Sequence, residues 1–64
     1  RLFEAVMRLP GKYRTVIHLF YYEGYAIEEI AGILHRPAGT VKSQLNRGRK
    51  LLKNTLQEEW NGDE

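Results

Sequence analysis

Lys42, Ser43, Asn46 and Arg47 stand at i, i+1, i+4 and i+5, a spacing that a helix gathers onto one face within two turns. Lysine and arginine donate to O6 and N7 of guanine, an asparagine amide bonds the N6/N7 edge of adenine, and a serine hydroxyl serves as donor or acceptor. Together they make a repertoire for reading base edges in a major groove. Thr40 just ahead of them adds a second short hydroxyl, and Arg36, Arg49, Lys50 and Lys53 around them supply cationic groups suited to phosphate oxygens. Adhesion to phosphate alone would be served by lysines, so the mixture of side chains in the first turns is the informative part. The groove is only ~12 Å wide, which confines base contacts to about two helical turns and leaves the later cations to backbone or protein. From Ile30 to Gln57 there is no Asp or Glu, while Lys and Arg occur six times. Such a surface expects a polyanion, although a charge run taken alone is equally a solvated helix face.

That face has to be held by packing. Val41, Leu45, Gly48, Leu52 and Leu56 share one narrow sector of the same helix, which the periodicity predicts over Thr40 to Gln57. Ahead of it Ile27, Ile30, Ala31 and Leu34, at i, i+3, i+4 and i+7, predict a short helix with one apolar face. HRPAG between the two predicts a turn, because Pro37 disfavours helical geometry at Arg36 and Gly39 tolerates unusual dihedrals. A short apolar-faced helix, a tight turn and a basic helix are the layout of a helix-turn-helix. In it the first helix crosses the phosphate backbone and sets the angle of the second.

Two further helices are predicted upstream. Arg1 to Arg8 is amphipathic, with Leu2, Phe3, Val6 and Met7 apolar and Leu9 following, and Pro10 interrupts it. The next runs from Gly11 or Lys12 to Glu23. Its stripe is Tyr13, Val16, Ile17, Phe20 and Tyr21, but Leu19 and Tyr22 add apolar mass on the other side, so this helix is central or faces a partner. Gly24 fits an αL cap. Ala26, where the third helix begins, has no side-chain acceptor for the first-turn amides, a weakness partly offset by Glu28 and Glu29 at the positive end of the helix dipole. The fold class expected is all-α, a four-helix helix-turn-helix domain over residues 1–57, followed by an acidic, flexible tail over 58–64.

With 64 residues the chain makes one small domain with a marginal core. The absence of an initiating Met, and a first residue already inside a helical pattern, suggest a fragment of something longer. No cysteine is present, so disulfides and cysteine-bound zinc are excluded, and two isolated histidines build no metal site; no cofactor is expected. No nucleophile with a base, paired carboxylates or phosphate-cradling loop points to an enzyme. Neither a signal peptide nor an apolar span of membrane length occurs, which suggests a cytoplasmic protein without membrane insertion. The formal charge of +2 understates the asymmetry: EEWNGDE at the end holds four of the eight acids, leaving ten bases against four over residues 1–57. His35 is expected to end the third helix, and His18 to lie at the surface beside Tyr22. Tyr21, Tyr22 and Tyr25 read as core and interhelical packing rather than a base-stacking platform. Gly48 marks either a close helix approach or simple tolerance. Trp60 either folds back on the body or is loose, and the acidic end could shield the basic helix.

At this point the residues resemble a known family. LPGKYRTVIHLFYYEGYAIEEIAGIL followed by RPAGTVKSQLNRGRKLL is similar to region 4 of bacterial sigma-70 family sigma factors of the extracytoplasmic function type. The patterns LPxxYRxVxxLxYxEGYxxxEIAxxL and PxGTVKSxLxRGRxxL lie in order, from Leu9 to Leu52. The resemblance implies a C-terminal domain that recognises the promoter minus 35 element as double-stranded DNA, GGAAC-like in this family, while a separate region 2 handles the minus 10 element. It also implies docking on the β flap of the RNA polymerase core and, in many members, an anti-sigma factor. Matched to the family motif, Lys42, Ser43, Asn46 and Arg47 take the base-facing positions and Thr40 lies near phosphate. The sequence departs from the pattern at Ala26, where a hydroxyl residue is usual, at His35, where glycine is frequent, at Arg36, where an apolar residue is, and at Gln44, where arginine is. Two other readings stay open on the residues alone: the output helix-turn-helix of a response regulator or quorum-type activator, and a protein-docking helical module that does not bind DNA.

Overall fold

A computed structural model describes residues 2–62, with side chains through residue 58. The helices are α1 (Leu2–Met7), α2 (Gly11–Ile17), α3 (Ile27–Leu34) and α4 (Ala38–Gly62), and α2 runs on without a break into a π-helical segment, His18–Tyr22. The all-α expectation holds. Among the described residues no helix is long and apolar enough to cross a membrane, and no cluster of three His, Cys, Asp or Glu could hold a metal ion.

Pro10 separates α1 from α2 as its chemistry requires. The chain leaves α1 through tightened bonds, Arg8 N–H to Ala5 C=O (3.2 Å) and Leu9 N–H to Val6 C=O (3.1 Å). The Pro10 carbonyl then accepts from the amides of Tyr13 and Arg14 and starts α2. Arg14 also reaches back, Nη1 to the Met7 carbonyl at 3.1 Å, which satisfies an otherwise orphaned acceptor at the end of α1. The π-helical segment closes with Glu23 N–H on His18 C=O and Tyr25 N–H on Leu19 C=O, across Gly24 at φ 79°. The αL expectation for Gly24 is met.

The core is drawn from every helix: Val6 and Leu9, Val16 and Ile17, Ile30, Val41 and Leu45. The α2 and α4 backbones approach closely at Gly48, where an added Cβ would lie 3.1 Å from Ile17 Cγ1 and 3.3 Å from Tyr13 Cβ. Close approach is therefore the role of this mid-helix glycine. Two of the five apolar residues at the start of the chain, Val6 and Leu9, are buried; Leu2, Phe3 and Met7 are exposed, Phe3 at 64%.

Three expectations need correction. The last helix begins at Ala38 and not near Thr40, because the Pro37 carbonyl accepts from Val41 N–H at 3.1 Å and so opens the first turn. A proline at a helix start sacrifices no bond, and Gly39 then sits inside that turn with no positive φ. The same helix continues past Gln57 to Gly62, since nothing between Gly48 and Gly62 breaks it. Finally, Tyr21, Tyr22 and Tyr25 are exposed, not core. Residues 63 and 64 and the Trp60 side chain, on which the idea of a flexible acidic tail partly rests, lie outside the described residues.

Candidate nucleic-acid interface

Helix α3 seats α4. Ile30 is fully buried between them, with Ile27, Ala31 and Leu34 packed on the same core. The turn is set by His35, in the αL conformation (φ 56°, ψ 46°), with its own N–H and that of Arg36 both bonded to the Ala31 carbonyl. This is a Schellman-type ending, built on a residue with a Cβ where glycine would be unstrained. His35 thus ends the helix, as expected. At its other end, α3 carries half of a capping box: the Ala26 N–H donates to Glu29 Oε1 at 2.8 Å, and nothing returns from the Ala26 methyl.

A second device spans the turn. Half-buried Arg36 donates from Nη1 to Gln44 Oε1 at 2.8 Å, tying the turn to the second turn of α4. These are two of the four positions at which the sequence departs from the family pattern, and they bond to each other. Arg36, expected at phosphate, therefore has one guanidinium nitrogen engaged within the protein.

Val41 and Leu45 are buried on the inner face of α4, and Leu52 and Leu56 are half-buried. Lys42, Ser43, Asn46, Arg47, Lys50 and Lys53 are all exposed, and Thr40 is exposed in the first turn. The four residues expected to read bases therefore share one solvent-facing surface. Of the α4 cations, Lys42, Arg47, Lys50 and Lys53 make no hydrogen bond or ion pair among the described residues. Solvent-facing cations of this kind displace counterions when they meet phosphate.

Arg49 behaves differently. Its Nε donates to the Tyr21 hydroxyl, its Nη1 donates to Asn46 Oδ1 at 3.3 Å, and its head lies 5.7 and 5.6 Å from the Phe20 and Tyr21 ring centroids. Sequence reasoning missed Tyr21 because it took the tyrosine for core. A phenol followed by a turn of cations at helical spacing carries no signal that the two elements face each other.

Beside this contact lies an open apolar groove of about 770 Å³ between α1, the π-helical segment and the far half of α4. Leu2, Val6, Ile17, Leu52 and Leu56 form its apolar wall, with Tyr21 alongside and Arg49 and Lys53 at the rim. His18, exposed as expected, stacks near Tyr22 (5.4 Å between ring centroids), and its Nε2 is 3.1 Å from Glu23 Oε2.

Comparison with known proteins agrees with this geometry. The family described as "Sigma-70, region 4" matches residues 1–52. Among curated proteins, the ECF RNA polymerase sigma factor SigW of Bacillus subtilis (strain 168) is 44% identical over 55 residues, which is 86% of this chain and 29% of that protein. The RNA polymerase sigma factor SigV of the same organism is 41% identical over 58 residues, 91% of this chain and 35% of that one. The ECF RNA polymerase sigma-E factor of Escherichia coli (strain K12) is 38% identical over 56 residues, 88% of this chain and 29% of that protein. The chain spans about a third of the length of these relatives. A seated helix-turn-helix, an exposed basic face on its second helix and a family match across both place this chain in the sigma-70 region 4 family.

Proposed function

We propose that this domain recognises a promoter minus 35 element with α4 in the major groove, as part of an ECF-type sigma factor directing transcription initiation in the bacterial cytoplasm. The observation that carries this reading is the continuous exposed face of Lys42, Ser43, Asn46 and Arg47, borne on a helix whose opposite side is buried. Those residues meet base edges; Arg36, Thr40, Arg49, Lys50 and Lys53 flank them towards the phosphates. The apolar groove behind α4 serves docking on the RNA polymerase core at the β flap, and an anti-sigma factor competes for the domain. Exposed Leu2 lines that groove, while exposed Phe3 and Met7 line a second hollow with Thr15, His18 and Leu19, and this apolar surface supports protein docking alongside DNA reading.

Substitution separates the roles. Lys42→Ala and Arg47→Ala should each cost about 1–3 kcal/mol on a duplex carrying a GGAAC-like element and much less on a scrambled duplex. Lys53→Ala should weaken both duplexes evenly and flatten the dependence of affinity on salt. Equal losses on both duplexes from Lys42→Ala and Arg47→Ala would remove these residues from sequence reading.

A further inference from the structure

Of the five cations on α4, only Arg49 has partners within the described protein, and one of them is Asn46. The guanidinium is planar, with donors in a fixed fork and no acceptor. Here its plane is held from two sides: by the Tyr21 hydroxyl on Nε and by the faces of Phe20 and Tyr21. Phe20 and Tyr21 are themselves locked edge-to-face, with ring centroids 4.9 Å apart and planes at 79°. An arginine anchored in this way has little freedom left at Nη1.

Asn46 faces the opposite situation. An exposed asparagine amide can turn over, presenting either its carbonyl or its NH2 outward, and the two orientations read different bases. Arg49 only donates, so it bonds Oδ1 and never Nδ2; the reversed amide would set donor against donor. The contact at 3.3 Å therefore selects one orientation, with Oδ1 turned along the helix towards Arg49 and the Nδ2 hydrogens left for the groove.

We infer that Arg49, braced by Tyr21, is a positioning residue that fixes the Asn46 amide and thereby sets which base edge this domain accepts beneath it. The inference rests on the reading of α4 as the base-reading helix. An outward NH2 seeks an acceptor: N7 or O6 of guanine, N7 of adenine, or O4 of thymine. Cytosine shows only its N4 amino donor in the major groove and is refused. Released from Arg49, the amide can turn and accept from that amino group. Arg49 thus contributes to specificity through another side chain, in addition to any charge it offers the backbone.

The test is competition binding on duplexes in which each base pair of a GGAAC-like element is replaced in turn, with melting curves recorded for every variant. Asn46→Ala locates the position that Asn46 reads. At that position the wild-type chain should disfavour a cytosine edge by ~5-fold or more, and Arg49→Met should bring it to within ~2-fold of the preferred base. Tyr21→Phe, which removes one hydroxyl, should shift the same position in the same direction by less. Arg49→Met added to Asn46→Ala should change that position no further. Lys50→Met removes an equal charge next door and should lower all duplexes evenly. An Arg49→Met profile that falls evenly, as for Lys50→Met, would make Arg49 a phosphate contact and overturn this inference alone, as would an Asn46→Ala profile unchanged at every position. A wild-type profile flat at all positions would overturn the minus 35 reading itself, and this inference with it.

Discussion

Helical spacing made one shared, exposed face of α4 legible at the scale of residues. Lys42, Ser43, Asn46 and Arg47 recur at intervals that share one side of a helix, and all four are exposed there. What the spacing hid are contacts between residues far apart in the chain. Arg36 and Gln44 read as two separate departures from a pattern, yet they form one bond at 2.8 Å across the turn. Tyr21 and Arg49, 28 positions apart, meet only because α2 and α4 pack. Backbone weaknesses, by contrast, could be anticipated. Ala26 gives α3 no acceptor, and Glu29 supplies only the returning half of the cap. Ala26→Ser should complete it, stabilising the fold by about 1 kcal/mol and raising the thermal midpoint by roughly 4–8 °C; an unchanged midpoint would show that the first-turn amides are already satisfied. His35 holds an αL conformation that favours glycine. Relief of roughly 1–2 kcal/mol of steric cost, offset by glycine's greater unfolded-state entropy, leaves His35→Gly a net gain of about 0.5 kcal/mol, measurable by chemical denaturation. A loss of stability would mean that the imidazole contributes more than the strain costs.

Between elements, the α2·α4 contact decides how α4 is carried. The sequence placed a glycine in mid-helix without saying why, since a tolerated glycine and one required for close approach look alike in a single chain. The structure distinguishes them: at Gly48 the neighbouring Ile17 and Tyr13 atoms leave no room for a longer side chain. Gly48→Leu should destabilise the domain by about 2 kcal/mol or more, despite leucine's better helix propensity, because α4 must lift from α2. A midpoint equal to that of the unaltered chain would contradict close packing here. The π-helical segment was equally invisible. A periodicity of 3.6 carries the buried stripe through Phe20 to Tyr21, and a turn one residue wider keeps Phe20 on the core but leaves Tyr21 and Tyr22 exposed, at 53% and 48%. This shift puts the Tyr21 hydroxyl on Arg49 and gives the apolar groove an aromatic edge.

The whole molecule is a small core serving two surfaces. A packed cluster of seven buried apolar residues drawn from all the helices holds α3 against α4, with the basic face of α4 on one side and the apolar groove on the other. All-α architecture and the helix-turn-helix were readable from periodicity, Pro10, Gly24 and Pro37. The groove was not, because it forms where α1, α2 and α4 fail to cover one another. Along the sequence, four of the eight acids fall in the last seven residues, outside the acid-free stretch from Ile30 to Gln57. The central claim, that this chain reads a DNA sequence through α4, is tested most directly by fluorescence anisotropy. The chain would be titrated onto a duplex with a GGAAC-like minus 35 element and onto a scrambled duplex, at two salt concentrations. Sequence reading predicts tighter binding to the element at both salts, with affinity for each duplex falling as salt rises. Equal affinity for the two duplexes at both salts, or no binding even at the lower, would contradict it.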